Sequence, residues 1–306
     1  MLEVFTDQRV KSLVERTICL SGVARSGTTI LGALVQSLKN VEYKFEPPSV
    51  AYLFHLIGRI PEKEWKYLYS HYLLEDILLP SLSGRGLNFN SNDWSYIFRS
   101  KGINDIKSRF LRSLRFQDIF ESLSEYTVAF KIPNISIRLR QFSSYFPSTK
   151  LLFTIRNPDA VLHSTIQRGW FRDRISDFAT AGPLQCYHNA LIPVNTPPHV
   201  AEAWLDMSEE ARCYSMFIET YQNILELPSP LIIDYDDMVT DAESYLLALC
   251  SRWQLSFGEQ TSALLETVRP ISRTEKAIPS ANPSLRQKAF AIWEQCKSKA
   301  LSPNAA

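Results

Sequence analysis

The sequence predicts an α/β fold, a parallel sheet flanked by helices. Three observations predict it. Residues 17–23 (TICLSGV) form a short apolar run that ends in a glycine turn and opens onto a helical pattern. Strand-like and helix-like segments then alternate along most of the chain, the pattern of strands joined by helical crossovers. A second apolar run, residues 151–155 (LLFTI), ends in another turn, and Pro158 there starts the next helix.

Taken in order, the first strand covers residues 17–23, and the helix after it spans 28–38. That helix places Ile30, Leu31, Leu34, Val35 and Leu38 at the spacing of one buried face. Residues 41–45 make a second strand, stopped by Pro47-Pro48, with a helix starting near Ser49. Aromatic and leucine spacing predicts a helix over 62–79, and 81–92 (SLSGRGLNFNSN) reads as a loop. A helix over 104–123 precedes the strand 127–132, which Pro133 closes. The stretch 135–146 is helical with Arg138 and Arg140 on its surface, and 182–198, with four prolines, is loop. One long helical pattern covers 199–227, the last strand is 231–234, and a helix follows over 242–253. The tail from Val268, with Pro270, Pro279 and Pro283, is expected to be irregular as far as Leu285. There is no internal repeat.

The 306 residues are expected to form one domain over 1–306, with variable helical segments around 51–125 and 169–198. Thirty-three Lys and Arg against 32 Asp and Glu leave a net charge of +1. Neither nucleic acid nor an anionic membrane surface is expected as the main partner, so any anion site must be local. The five cysteines, Cys19, Cys186, Cys213, Cys250 and Cys296, are scattered and lack metal-ligand spacing. They suit a reducing compartment and predict no bound metal. Residues 1–16 alternate charged and apolar types, unlike a secretory leader. No apolar run reaches the roughly 20 residues needed to span a bilayer. A cytoplasmic protein without a membrane span is expected.

The chemistry concentrates in Gly22-Val-Ala-Arg25-Ser26-Gly27-Thr28-Thr29. This matches the first part of the P-loop pattern, GxxxxG, so the sheet reads as P-loop-like. It then departs, because Thr28 stands where the P-loop lysine belongs. Backbone amides at a helix start still cradle an anion, with Ser26, Thr28 and Thr29 as further donors. The cation sits inside the loop as Arg25. A phosphoryl-transferring kinase needs the lysine and a metal ion. A sulfuryl group carries less charge, so one arginine and several neutral donors suffice for it.

The GVARSGTT loop with its apolar helix resembles the 5′-phosphosulfate-binding loop of sulfotransferases that use 3′-phosphoadenosine 5′-phosphosulfate (PAPS). It is most similar to the RSGTT form of carbohydrate and tyrosylprotein sulfotransferases and their bacterial relatives. The soluble phenol and steroid enzymes carry lysine where this chain has Arg25. The resemblance implies that Arg25, Ser26, Gly27, Thr28 and Thr29 hold the 5′-phosphosulfate.

A second segment is Arg156-Asn-Pro-Asp-Ala-Val-Leu-His-Ser164. By itself it is either an arginine pointing into the crevice at a strand end or a surface arginine beside a Pro-started helix. As RNPxxxxxS it resembles the 3′-phosphate motif of the same family, which implies that Arg156 and Ser164 bind that phosphate. Residues 232–239, with Tyr235, Asp236 and Asp237, resemble the family's YEDL strand and turn, whose acids cap a helix. The resemblance runs over about residues 18–253, strong at the two motifs and loose between them.

Glu46 stands at the end of the second strand, on the same sheet edge as the loop. It matches the proposed base of the saccharide and tyrosylprotein branch and is expected to deprotonate the acceptor, while Arg25 stabilises the transferring group. His163 and His55 are rivals, each expected to pack rather than react. No GxSxG elbow supports a hydrolase. Arg168, Trp170, Phe171, Arg172 and Arg174 follow the second motif and either hold the acceptor or form a solvated helix end. Arg269, Arg273 and Lys276 lie in the tail, and Lys131 resembles a family lysine near the site. The expected partner is an acceptor hydroxyl or amine, a saccharide or lipid-linked molecule, with a small natural product as the alternative. A small-molecule kinase and a non-catalytic nucleotide-binding protein are the two other readings.

Overall fold

The computed structural model describes residues 8–111, 116–135, 138–172, 184–188, 190–269 and 280–303. Seven strands are formed among them: β1 Ile18–Ser21, β2 Val41–Phe45, β3 Thr127–Lys131, β4 Lys150–Ile155, β5 Leu184–Tyr187, β6 Ala190–Pro193 and β7 Leu231–Asp234. Five make one sheet in the order β2-β3-β1-β4-β7, and every pairing in it is parallel. The helices used below are α1 Gln8–Arg16, α2 Thr28–Ser37, α3 Pro48–Leu56, α4 Glu62–His71, α5 Ile103–Leu111, α6 Leu139–Tyr145, α7 Pro158–Arg168, α8 Glu209–Leu225, α9 Ala242–Trp253 and α10 Pro283–Ser298.

Both faces of the sheet are covered, as a parallel sheet requires. The period-two alternation of each strand decides which face a residue serves. Cys19, Val128, Phe130, Phe153 and Ile232 enter a core shared with α1, α3, α4, α6, α8 and α10. Their neighbours Ile18, Leu20, Ala129, Leu152 and Ile233 enter a second core under α2 and α9. The α/β class and the parallel sheet flanked by helices are therefore observed.

Several expected boundaries move, each for a local reason. Strand β1 stops at Ser21 because Gly22 leaves the extended region at φ 140°. The expected helix over 62–79 turns into a π-helical stretch over Tyr72–Leu78 ahead of Pro80, which carries no amide hydrogen. The pattern over 135–146 is helical only from Leu139, after Asn134 and Arg138 take left-handed φ of 59° and 70°. The expected loop 182–198 contains the antiparallel hairpin β5–β6. The long pattern 199–227 splits, because Ser208 accepts a hydrogen bond from the Ala211 amide and caps a new helix, α8. The tail is helical from Pro283, and α10 packs on α8. The stretch expected as one helix over 104–123 forms α5 and a second helix, Phe116–Glu121.

The start of β2, at Val41 and Glu42, is covered by an ionic network. Glu42, its side chain 3% exposed, accepts two hydrogen bonds of 2.8 Å from the Arg109 guanidinium. Arg109 also bonds Asp105 at 2.9 Å and the Ser81 carbonyl at 3.1 Å. Burial works against the Arg109 charge, but Glu42 and Asp105 outweigh it and hold its pKa above the ordinary value. Lys101 donates to the carbonyls of Leu38 and Val41 at 3.0 and 2.9 Å. Removing one partner of such a pair strands the other charge. Arg109→Ala is expected to lose about 3–5 kcal/mol of stability, and urea denaturation beside Glu42→Gln/Arg109→Met, which removes both charges and is expected to lose much less, checks it.

Candidate functional site

Parallel strands place all their carboxyl ends on one edge, and the site is built there. After β1 the chain turns at Gly22, where a Cβ would stand 2.5 Å from the Thr154 carbonyl oxygen. The loop is then fixed from several sides. The Ser26 hydroxyl donates to the Val23 carbonyl at 2.6 Å and lies 2.8 Å from the Thr154 hydroxyl. Asn134 accepts the Ala24 amide at 3.0 Å, and its own amide donates to the Gly22 carbonyl at 2.8 Å. Tyr221 accepts the Val23 amide at 3.3 Å and donates its hydroxyl to the Thr154 carbonyl at 2.7 Å. Burial pushes the Tyr221 phenol above its ordinary value and keeps that donor protonated.

Gly27 precedes the first residue of α2 at φ 97°, and a Cβ there would fall 2.0 Å from the Tyr235 ring. Only glycine fits both the conformation and the contact. The amides of Gly27, Thr28 and Thr29 make no hydrogen bond to an acceptor among the described residues, as expected of a helix start. Thr28 is buried and Thr29 half-buried.

Three cations and a carboxylate converge on this loop. Arg25, at φ 74°, donates from Nε to the Ser164 hydroxyl at 2.8 Å, and its guanidinium lies 5.6 Å from the Trp170 ring. Lys131, the last residue of β3, is 1% exposed. Its Nζ donates to the Thr29 hydroxyl at 3.0 Å, pairs with Glu46 at 2.5 Å and stands 4.1 Å from the Phe45 ring. Burial pulls the Lys131 pKa below its ordinary value, against the upward pull of Glu46, and Arg25 adds to the depression. Arg156 follows β4, is buried, lies over the Tyr235 ring at 4.9 Å and is 3.5 Å from Asp236. Glu46 follows β2 at φ 41° and donates its amide to the Lys131 carbonyl at 2.9 Å.

The expected residues thus share one sheet edge, in pairings the sequence did not predict. Ser164 meets Arg25, and Arg156 meets Tyr235 and Asp236. The Ser26 hydroxyl points into the protein and braces the loop. Lys131 becomes central because it joins Thr29 to Glu46. Tyr235, Tyr221 and Asn134 support the loop, and of these only Tyr235, in the segment 232–239, carries a local sequence signal. In that segment Asp234 caps the helix Tyr235–Met238, accepting the amides of Asp236 and Asp237. Burial raises the Asp234 pKa, against Lys297 at 3.6 Å.

Around the site, Asn157 caps α7 by accepting the Asp159 and Ala160 amides. Asp159 is itself held by Arg286 at 2.6 Å and Tyr214 at 2.8 Å. His163 bonds Gln167 at 2.8 Å on the helix surface. The half-buried His55 has its pKa lowered by burial and by Arg59 and Arg138. Phe171 packs against Trp204, Arg172 lies 3.8 Å from Glu209, Arg168 is exposed, and Arg269 donates to the Val268 carbonyl. Arg174, Arg273 and Lys276 lie outside the described residues. Among the described residues no group of three His, Cys, Asp or Glu is placed to hold a metal ion, and no helix is long and apolar enough to cross a membrane.

Fold and site together define an α/β protein with a glycine loop at the carboxyl edge of a parallel sheet, ringed by Arg25, Lys131 and Arg156. No protein-family model and no curated protein matches the chain. Among solved structures it is similar to the sulfotransferase domain of the Synechococcus PCC 7002 olefin synthase, at 14% identity and a TM-score of 0.44 over 91% of this chain and 93% of that one. It is also similar to a sulfotransferase from Alicyclobacillus acidocaldarius, at 13% identity and a TM-score of 0.41 over 92% and 93% of the two chains. Likenesses this distant leave the activity to be argued from the residues of the site.

The packing of Gly27 is directly testable. Gly27→Ala is expected to cost at least about 1–2 kcal/mol from the left-handed backbone alone, with a further loss from the Tyr235 ring. Chemical denaturation measures the total, and in a Tyr235→Ala background the same Gly27→Ala change is expected to cost less, by the ring's share only.

Proposed function

We propose that this chain transfers a sulfuryl group from PAPS to a hydroxyl or amine of an acceptor, with saccharides and glycoconjugates as the acceptor class. One observation carries the reading. A glycine loop without a lysine at position 28 meets Arg25, Lys131, Arg156 and the Glu46 carboxylate at one strand edge. Such an edge suits a donor with two anionic groups and an acceptor that must lose a proton.

In this reading the loop amides, Thr28 and Thr29 hold the 5′-phosphosulfate, and Ser26 keeps the loop in shape. Arg156 and Ser164 serve the 3′-phosphate, which separates the donor from ordinary nucleotides. The acceptor oxygen or nitrogen attacks sulfur as the bond from sulfur to the bridging phosphate oxygen breaks. The acceptor proton passes to Glu46, and 3′-phosphoadenosine 5′-phosphate leaves. Arg25 and Lys131 meet the negative charge growing on the bridging oxygen. Lys131 also holds the Glu46 carboxylate beside the loop. No metal ion enters this scheme.

A second reading, phosphoryl transfer from a magnesium nucleotide, is favoured by the bond from Lys131 to Thr29, which supplies a cation near the one missing at position 28. Calorimetry without magnesium separates the two. Binding of 3′-phosphoadenosine 5′-phosphate in preference to ATP and ADP is expected, weakened in Arg156→Ala by about 1.5–3 kcal/mol, roughly one to two decades in affinity. A preference for magnesium-ATP selects the kinase. Glu46→Gln is expected to keep nucleotide binding and to lower turnover by about 10²–10⁴-fold, measured as sulfate transfer.

The Lys131 charge gives a pH signature. Its pKa lies below the 10.5 of an ordinary lysine, so the charge disappears as pH rises through the lowered value. Nucleotide affinity is expected to fall over that range, and Lys131→Arg is expected to move the fall to higher pH in a titration of affinity against pH.

A further inference from the structure

One stripe of the C-terminal helix connects two groups of carboxylates that flank Arg156. Arg286, Phe290, Trp293 and Lys297 lie four, three and four residues apart and so share one face of α10. The Arg286 guanidinium stands 4.6 Å from the Phe290 ring, Phe290 meets Trp293 edge-on with centroids 5.8 Å apart, and the Lys297 Nζ is 5.4 Å from the Trp293 ring. Each cation thus rests on an aromatic neighbour, which holds it against the helix. A neighbouring stripe, Ala289, Ile292 and Cys296, is buried in the core and fixes the helix in place. The two cations are three turns apart, about 16 Å along the axis.

Both ends of the stripe reach acids beside Arg156. At its start, Arg286 donates from Nε to Asp159 Oδ1 at 3.1 Å and from Nη2 to Oδ2 at 2.6 Å, and Tyr214 of α8 donates to Oδ1 at 2.8 Å. Asp159 is the second residue of α7, and Ser164 lies further along the same helix. At its end, Lys297 stands 3.6 Å from Asp234 and 3.9 Å from Asp237. Asp234 caps the turn that presents Tyr235 and Asp236 to Arg156. Just beyond, the Leu301 amide donates to the Ile232 carbonyl at 2.7 Å and ties the end of the chain to β7. Strands β4 and β7 are neighbours, with Ile155 opposite Asp234. The two contacts therefore bracket Arg156, one through α7 and one through the turn after β7.

Charge points the same way. These two turns hold four acids, Asp159, Asp234, Asp236 and Asp237. Carboxylates so close to Arg156 oppose any anion that it binds. Arg286 and Lys297 face three of the four. We propose that α10 positions Arg156 and Ser164 for the 3′-phosphate of the donor, with Arg286 and Lys297 as its positioning residues. They hold the two turns at a fixed spacing and offset the acids that would repel the phosphate. Neither residue belongs to the motifs around Arg25 and Arg156. The role rests on the donor proposed above and extends that site to the far end of the sequence.

Calorimetry on the full chain without magnesium, with 3′-phosphoadenosine 5′-phosphate and ADP as probes, tests the role. Arg286→Met and Lys297→Ala change side chains that are each 39% exposed, so both variants are expected to fold, which urea denaturation checks. Each is expected to weaken binding of 3′-phosphoadenosine 5′-phosphate by about three- to thirtyfold and to leave ADP affinity unchanged, because ADP lacks the 3′-phosphate. Arg286→Lys, which keeps the charge but not the planar fork, is expected to fall between wild type and Arg286→Met. If wild type binds the 3′-phosphorylated nucleotide and both variants match it, the positioning role is overturned while the donor reading stands. Equal losses for the two nucleotides overturn it as well, since they mark a general loosening of the fold. A wild-type chain that ignores 3′-phosphoadenosine 5′-phosphate overturns the donor reading and, with it, the role that rests on it. Should Arg286→Met fail to fold, Lys297→Ala decides by the same criteria.

Discussion

Parallel strands cannot be joined by tight turns, so each strand of the sheet hands the chain to a longer connection at its carboxyl end. Five such ends lie side by side here. They deliver Glu46 after β2, Lys131 at the end of β3, Gly22 after β1, Arg156 after β4 and Tyr235 after β7. These positions are spread over much of the sequence, and only the common direction of the strands brings them together. The registers Leu20↔Lys131 and Ile155↔Asp234 set their relative heights along the edge.

Concentrated positive charge needs local compensation in a chain whose net charge is only +1. Each cation of the site has it. Arg25 leans on Ser164 and Trp170, Arg156 on Tyr235 and Asp236, and Lys131 on Thr29 and Glu46. Lys131 is the most constrained of the three, because it sits at the end of a fully buried strand. A charge in that place cannot fall back on water, so its position is set by its two partners. The pair ties the glycine loop to the end of β2, so the loop and the expected base form one unit.

The loop is rigid for a related reason. Buried backbone groups must find partners, and those of the loop find them in Asn134 and Tyr221, on two other parts of the chain, while the Ser26 hydroxyl meets that of Thr154. The amides of Gly27, Thr28 and Thr29, at the start of α2, have no acceptor among the described residues. The same demand acts at the outer edge of β2, where Lys101 takes the Val41 carbonyl and the Arg109 network seals Glu42. Between these closed places the edge at Tyr43 and Phe45 borders a cavity of about 430 Å³.

Much of this was legible in the residues themselves. Apolar runs ending at or near glycine or proline located β1, β3 and β4, since parallel strands buried on both faces need no alternation to be recognised, while β2 was marked by the Pro47-Pro48 stop and β7 by its short apolar run alone. The motifs around Arg25 and Arg156 were legible because anion binding at a helix start depends on contiguous residues. The hairpin β5–β6 was hidden among prolines, and the break before α8 was signalled only by Ser208, a weak cue inside a long helical pattern. Tertiary structure alone decided that Ser164 meets Arg25, that the Ser26 hydroxyl turns inward, and that Tyr235 closes over Gly27. It also made Lys131 the hinge between loop and base. Periodicity and local motifs fix which face a residue serves within its own element, whereas contacts between distant segments depend on strand order and register, which no short stretch of sequence encodes.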